Sequence, residues 1–151
     1  MGYYVNATDS VLRIKQENFD HAYRAMCELN WRNDLKRGGS YGPTRPTTLP
    51  DGPNEWIWFS WMPWNYHETL STMEEILEAL GFELDMYGGE LCSVNYDSKT
   101  GSEEHFLRAI APWVEDGSFI VWRGEDGAMW RWLFDNGEMR EQTAKIRWRD
   151  S

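Results

Sequence analysis

Two turn signals in the last third of the chain leave few options for how it folds. Residues 118–123, 128–134 and 138–148 are rich in apolar and aromatic side chains and are separated by Glu125-Asp126-Gly127 and Asp135-Asn136-Gly137. Asn and Gly tolerate the positive φ that short hairpin connections demand, so each break reads as a tight turn. Strands joined this way run antiparallel, because a parallel pair needs a long crossover. The spacing predicts a three-stranded C-terminal meander. Gly88-Gly89 gives the same hairpin signal between residues 82–87 and 90–96. Short strands are expected at 2–5 and 11–14. A further strand is expected in Glu55-Trp56-Ile57-Trp58-Phe59-Ser60-Trp61, a run too short and too aromatic to prefer a helix.

Three segments carry helical periodicity. After Asn18, a good N-cap, Phe19, Ala22, Tyr23, Met26 and Leu29 recur at three-and-four spacing. Ser71-Thr72-Met73-Glu74 has capping-box form ahead of Met73, Ile76, Leu77 and Leu80, with Gly81 placed to end the helix. Ser102 is expected to cap a third helix with Glu103 and Glu104 in its first turn and Phe106, Ala109, Ile110 and Trp113 on its buried stripe. The order ββαβαββαβββ, with three helices to cover one face of an antiparallel sheet, defines an α+β class. The 151 residues fit one domain, since ~100–200 is the usual range, so residues 1–151 are read as a single unit. A chain of this size buries ~68–70% of its unfolded surface and needs no metal or disulfide to hold a core.

Between the first helix and the Trp-rich run, residues 33–54 form an irregular stretch holding Pro43, Pro46, Pro50 and Pro53. Structureless loops beyond ~12–15 residues are usually functional or mobile. This one carries Lys36, Arg37 and Arg45, a basic group expected to contact an anion or a partner. Lys36-Arg37-Gly38-Gly39-Ser40 lacks the spacing of a phosphate-binding P-loop.

The net charge of −10 is unevenly placed. Residues 1–50 hold seven Lys/Arg against five Asp/Glu, residues 51–100 one against ten, and residues 101–151 seven against ten. The acidity therefore belongs to the middle third, and Glu74, Glu75 and Glu78 fall on the outer side of the second helix as a candidate acidic partner-binding face. Such a balance disfavours unaided binding to nucleic acid, which rests on cations neutralising phosphates. No run approaches the ~18 apolar residues of a membrane span, and the N-terminus lacks a signal peptide. Cys27 and Cys92 are too few for a disulfide framework and fit a reducing compartment, so a cytoplasmic setting is expected.

Ten tryptophans are the strongest peculiarity. Side chains alternate along a strand, so Trp56 and Trp58 are expected to share one face, as are Trp130 and Trp132, with Met129 and Leu133 opposite. Helices cover only one face of the sheet. The candidate aromatic partner surface is therefore Trp56, Trp58, Trp130 and Trp132, residue types that dominate binding hot spots. No catalytic or metal constellation is evident. His21, His67 and His105 are dispersed, the cysteines are isolated, and Ser102 after Gly101 lacks a nucleophile-elbow pattern. No cofactor is expected.

Tyr96-Asp97-Ser98-Lys99-Thr100-Gly101 through Phe106, then Ile110-Ala111-Pro112, the run from Gly117 to Gly127 with Trp122-Arg123, and Trp130-Arg131 form a recognisable series. With Met1-Gly2-Tyr3-Tyr4-Val5 and Asp34-Leu35-Lys36-Arg37-Gly38-Gly39, they resemble small, acidic, uncharacterised proteins encoded by actinobacteria and their bacteriophages. The resemblance implies a cytosolic, phage-encoded accessory protein and brings no catalytic residues.

The expected function is therefore non-enzymatic: a phage- or mobile-element-associated acidic protein that binds and modulates or blocks a host or defence protein. One alternative is a small-ligand or nucleotide-binding domain in which Trp stacks on a base and Lys36, Arg37 or Arg45 meets a phosphate. Another is an immunity protein that neutralises a toxin. An aromatic face also suits a homodimer.

Overall fold

The computed structural model describes residues 3–36, 53, 57–59 and 61–150. Among these residues seven strands are present: β1 (Tyr4–Val11), β2 (Glu83–Tyr87), β3 (Glu90–Asn95), β4 (Asp97–Lys99), β5 (Phe119–Gly124), β6 (Met129–Asp135) and β7 (Glu138–Thr143). The helices are α1 (Phe19–Leu29), the single turn α2 (Tyr66–Thr69), α3 (Met73–Leu80) and α4 (Glu103–Ile110). Five strands pair antiparallel in the order β4-β1-β5-β6-β7, and β2 pairs with β3. The α+β class and the C-terminal meander are as expected from the sequence. Asn136 and Gly137 at the β6–β7 turn have φ of 53° and 76°, and Gly88 and Gly89 at the β2–β3 turn have 61° and 80°. These are the paired left-handed conformations that match strand twist in a two-residue hairpin.

The N-terminal strands are not two short pieces but one strand with a bulge. β1 and β5 lose register between Ala7 and Asp9, leaving Thr8 as the extra residue. A bulge flips the facing of everything after it. Before the bulge the odd-numbered Val5 is buried and Ala7 packs partly against the core, whereas beyond it the even-numbered Leu12 and Ile14 are buried. The polar stretch Asn6–Ser10, which breaks the pattern in the sequence, is where the parity changes. The bulge also interrupts the ladder between β1 and the β3–β4 side. Ser10 bridges the gap: its hydroxyl donates to the Val94 carbonyl at 2.6 Å and accepts from the Val94 N–H at 3.0 Å. On either side the backbone resumes, through Ala7 N to Tyr96 O at 2.8 Å and Leu12 N to Cys92 O at 2.9 Å. The β2–β3 hairpin is thus held beside β1 in line with β4.

Residues 57–59, the described stretch of the Trp-rich run, do not form the expected strand. Ile57, Trp58 and Phe59 are all buried in succession, and Met62 N closes a turn on Phe59 O at 3.2 Å. A strand presents alternate residues to one face, so three consecutive buried side chains mark a segment enclosed on every side as irregular chain. Trp58 packs edge-on to Phe106 of α4 at 5.1 Å between ring centroids.

Three caps also differ from expectation, the first being Asn18, whose side chain makes no cap bond to α1. In α3 the capping box lies one residue later: Thr72 Oγ1 accepts from Glu75 N at 3.1 Å and the Glu75 carboxylate accepts from Ser71 N at 2.7 Å. Gly81 ends this helix at φ 115° with the Tyr96 ring against it, a left-handed position that suits glycine. At α4 the Ser102 side chain makes no cap bond. The buried Glu103 turns back instead, accepting from Gly101 N at 2.8 Å and from the Thr100 hydroxyl. All four helices contribute to the core on the inner face of the sheet, against Val5, Ile120, Trp122, Trp132, Phe134 and Met139.

Candidate functional site

The three described residues of the expected aromatic surface, Trp58, Trp130 and Trp132, pack into or against the core. Trp58 is 2% exposed and Trp132 4%, while Trp130 is half-buried on the same inner face. Trp132 meets Trp122 at 5.0 Å, and Trp122 in turn meets Phe82 and Tyr96. Each such edge-on pair adds about 0.5–1.5 kcal/mol beyond burial. The surplus of aromatics is taken up because the inner face of the sheet and the enclosed 57–59 segment draw on one core. Trp56 lies outside the described residues.

Lys36 does not present its charge to solvent. It is 1% exposed, and its Nζ donates to Asn33 Oδ1 at 2.7 Å. Burial pulls its pKa down to about 8, since desolvation penalises the cation. Arg37 and Arg45 lie outside the described residues. Lys36 belongs to a polar cluster at the C-terminal end of α1. Asn30, fully buried, donates through Nδ2 to Trp64 O and to His67 Nδ1, both at 2.8 Å, and accepts from Trp58 Nε1 at 3.1 Å. A proton on Asn30 directed at His67 Nδ1 leaves the imidazole proton on Nε2, which faces Glu68 at 3.4 Å. Burial first, and the Lys36 charge among the remaining causes, lower the His67 pKa, against the opposite pull of Glu68. The cluster satisfies its own buried atoms and acts as a polar tie between α1, α2 and the 57–59 segment. Nothing in the sequence spacing announces it, because its members are up to 37 positions apart.

The acidic face is where the periodicity places it. Glu75 and Glu78 are exposed and Glu74 is half-buried. Glu75 is occupied at the helix start by Ser71 N. Among the described residues no group of three His, Cys, Asp or Glu side chains could hold a metal ion, and no helix is long and apolar enough to cross a membrane.

Among the described residues, exposed apolar groups include Met86 and Tyr87 at the β2–β3 turn, and two further surfaces carry them. The first is the C-terminal tail. β6 begins at Met129, so the β6–β7 ladder stops at Trp130–Thr143 and the chain beyond Ala144 overhangs the sheet. There Ile146 is 81% exposed and Trp148 93%, alternating with Lys145, Arg147 and Arg149. The second is the outer face of β1, β5, β6 and β7. Its side chains stand in cross-strand rows: Val11, Phe119, Leu133 and Arg140; then Asp9, Val121, Arg131 and Gln142; then Asn6, Arg123 and Met129. Arg131 donates from Nε to Gln142 Oε1 at 2.8 Å, and a hollow of about 230 Å³ opens between Val121, Met129 and this pair. The sequence pattern already opposes Met129 and Leu133 to the tryptophans. It does not reveal that the tryptophan side is the covered one. The chain matches no protein-family model, no curated protein and no solved structure.

Proposed function

We propose that this chain is a non-enzymatic acidic binding protein, phage- or mobile-element-associated as its sequence resemblance implies, which binds and modulates or blocks a host or defence protein. The observation that carries this reading is the overhanging tail. A tryptophan and an isoleucine stand in water beside three cations, outside the hydrophobic core of the described residues. Exposed Trp flanked by Arg is the composition of a binding hot spot. The alternation of Ile146 and Trp148 with Lys145, Arg147 and Arg149 is that of an extended segment with one apolar and one basic side. β7 is the edge strand of the five-stranded sheet, so its continuation can add to the sheet edge or groove of a partner, main chain to main chain. Glu74 and Glu78 on α3 offer a separate acidic contact for a basic region of the same partner.

The test is affinity capture from host lysate with an N-terminal tag, comparing the intact chain with Ile146→Asp/Trp148→Ala and with Glu74→Lys/Glu78→Lys. The intact chain is expected to retain a defined protein that the tail variant loses at unchanged far-UV circular dichroism. Equal retention by the tail variant, or capture of nothing by the intact chain, refutes the reading. Loss on charge reversal assigns the acidic contact as well.

A further inference from the structure

We propose that the outer face of the sheet is the contact between two copies of this chain, related by a two-fold axis running along β5. This contact is separate from the tail and does not rest on it. The face is sorted by charge. On one side stand Asp9 on β1 and, beyond it, Glu83 and Asp85 on β2, lining an open polar groove with Ser93 and Asn95. On the other stands Arg131 on β6, while Arg140 on β7 is taken up by Asp135 at 3.8 Å, beside Glu138 at the far end of the same strands. Between them lies an apolar centre of Val11, Val121, Phe119 and Leu133.

A surface with Asp9 on one side of an apolar middle and Arg131 on the other, in one cross-strand row, is complementary to its own image turned by 180°, which is the requirement of an isologous dimer. Rotation about β5 lays Asp9 of each copy over Arg131 of the other. It lays Val11 over Leu133, and Val121 and Phe119 over their own counterparts. Within one chain the same charges cannot pair, because Asp9 and Arg131 sit two strands apart, ~10 Å at the usual strand spacing. The second copy supplies the missing counter-charge. Arg123 meets its own image at the end of the patch. Arg123 is exposed at the rim, where solvent and salt screen the like charges. Six strands of about six residues span on the order of 600 Å² in projection, near the ~800 Å² per partner of a standard interface.

The experiment is sedimentation velocity on the full chain over a concentration series, with three further samples: Asp9→Arg, Arg131→Asp, and an equimolar mixture of the two. Circular dichroism confirms that each variant is folded. The intact chain is expected to sediment at twice the monomer mass and each variant alone as a monomer. The mixture should regain the dimer, since the two reversed charges then face each other on one side of the axis and the parent pair of Asp9 and Arg131 stands on the other. Added salt should weaken the intact dimer by roughly tenfold or more in dissociation constant between low and high ionic strength. A monomeric intact chain, variants that still dimerise, or a mixture that stays monomeric overturns the proposal. Truncation after Ala144 leaves the dimer in place, so failure here is distinguishable from failure of the tail reading.

Discussion

Trp58 and Trp122 are both buried indoles with aromatic neighbours, yet their ring nitrogens stand in opposite situations. Trp58 Nε1 donates to Asn30 Oδ1 at 3.1 Å, whereas Trp122 Nε1 is buried with no hydrogen-bond partner among the described residues. Replacing each by Phe removes the same atoms. The lost volume is ~40 Å³, which at ~24 cal/mol per Å³ of cavity destabilises by about 1 kcal/mol in either place. The polar contributions have opposite signs. Trp58→Phe leaves the Asn30 carbonyl oxygen unsatisfied in the core, a further loss of about 1–3 kcal/mol, while Trp122→Phe relieves an unmade bond of comparable size. Trp58→Phe is therefore expected to be the less stable variant by at least about 2 kcal/mol. Trp122→Phe should lie close to the parent chain. Urea denaturation followed by circular dichroism measures this as a shift in midpoint at unchanged slope. For a chain of this size about 2–4 °C accompanies each kcal/mol, so the melting temperatures should differ by at least ~4–8 °C. Equal destabilisation of the two variants within ~0.5 kcal/mol, or a less stable Trp122→Phe, refutes the polar accounting.

Two pH dependences follow from the buried charges. Lys36 is held down to about 8 by burial, so between there and the ordinary lysine range the folded state has shed a proton that the unfolded state retains. Its contribution to stability therefore rises with pH across that window. The stability difference between the parent chain and Lys36→Met, from urea midpoints at about pH 7 to 9.5, should move in favour of the parent as pH increases; a constant difference contradicts it. Glu103 is pushed up, first by burial, although its bonds to Thr100 and Gly101 pull the other way. Its folded state holds the proton longer than the unfolded state, so its contribution is largest at low pH and falls as pH rises from the ordinary carboxylate range through the raised value. The parent minus Glu103→Gln difference should shrink over that acid range, and a difference that grows rules out the assigned direction.

The sequence alone determined those parts of the fold governed by neighbours along the chain. Turn chemistry at Gly88-Gly89 and Asn136-Gly137 specifies two hairpins, and the spacing of Met73, Ile76, Leu77 and Leu80 specifies α3, because a φ preference and a helical stripe are local properties. The single turn of α2 and the three-residue β4 carry too little pattern to be read this way. Only the tertiary structure decided which face of the sheet is covered. Period-two alternation shows that Trp132 and Leu133 point to opposite sides but assigns neither side to the helices. It likewise decided that Ile57, Trp58 and Phe59 are enclosed rather than paired, and that Lys36 turns inward to Asn33. The bulge at Thr8 changes which residues of β1 face the core, and its bridge through Ser10 reaches 84 positions along the chain. Burial and charge pairing depend on residues far apart in sequence. An acidic, tryptophan-rich composition therefore says what the chain holds, while packing decides what it leaves in contact with water.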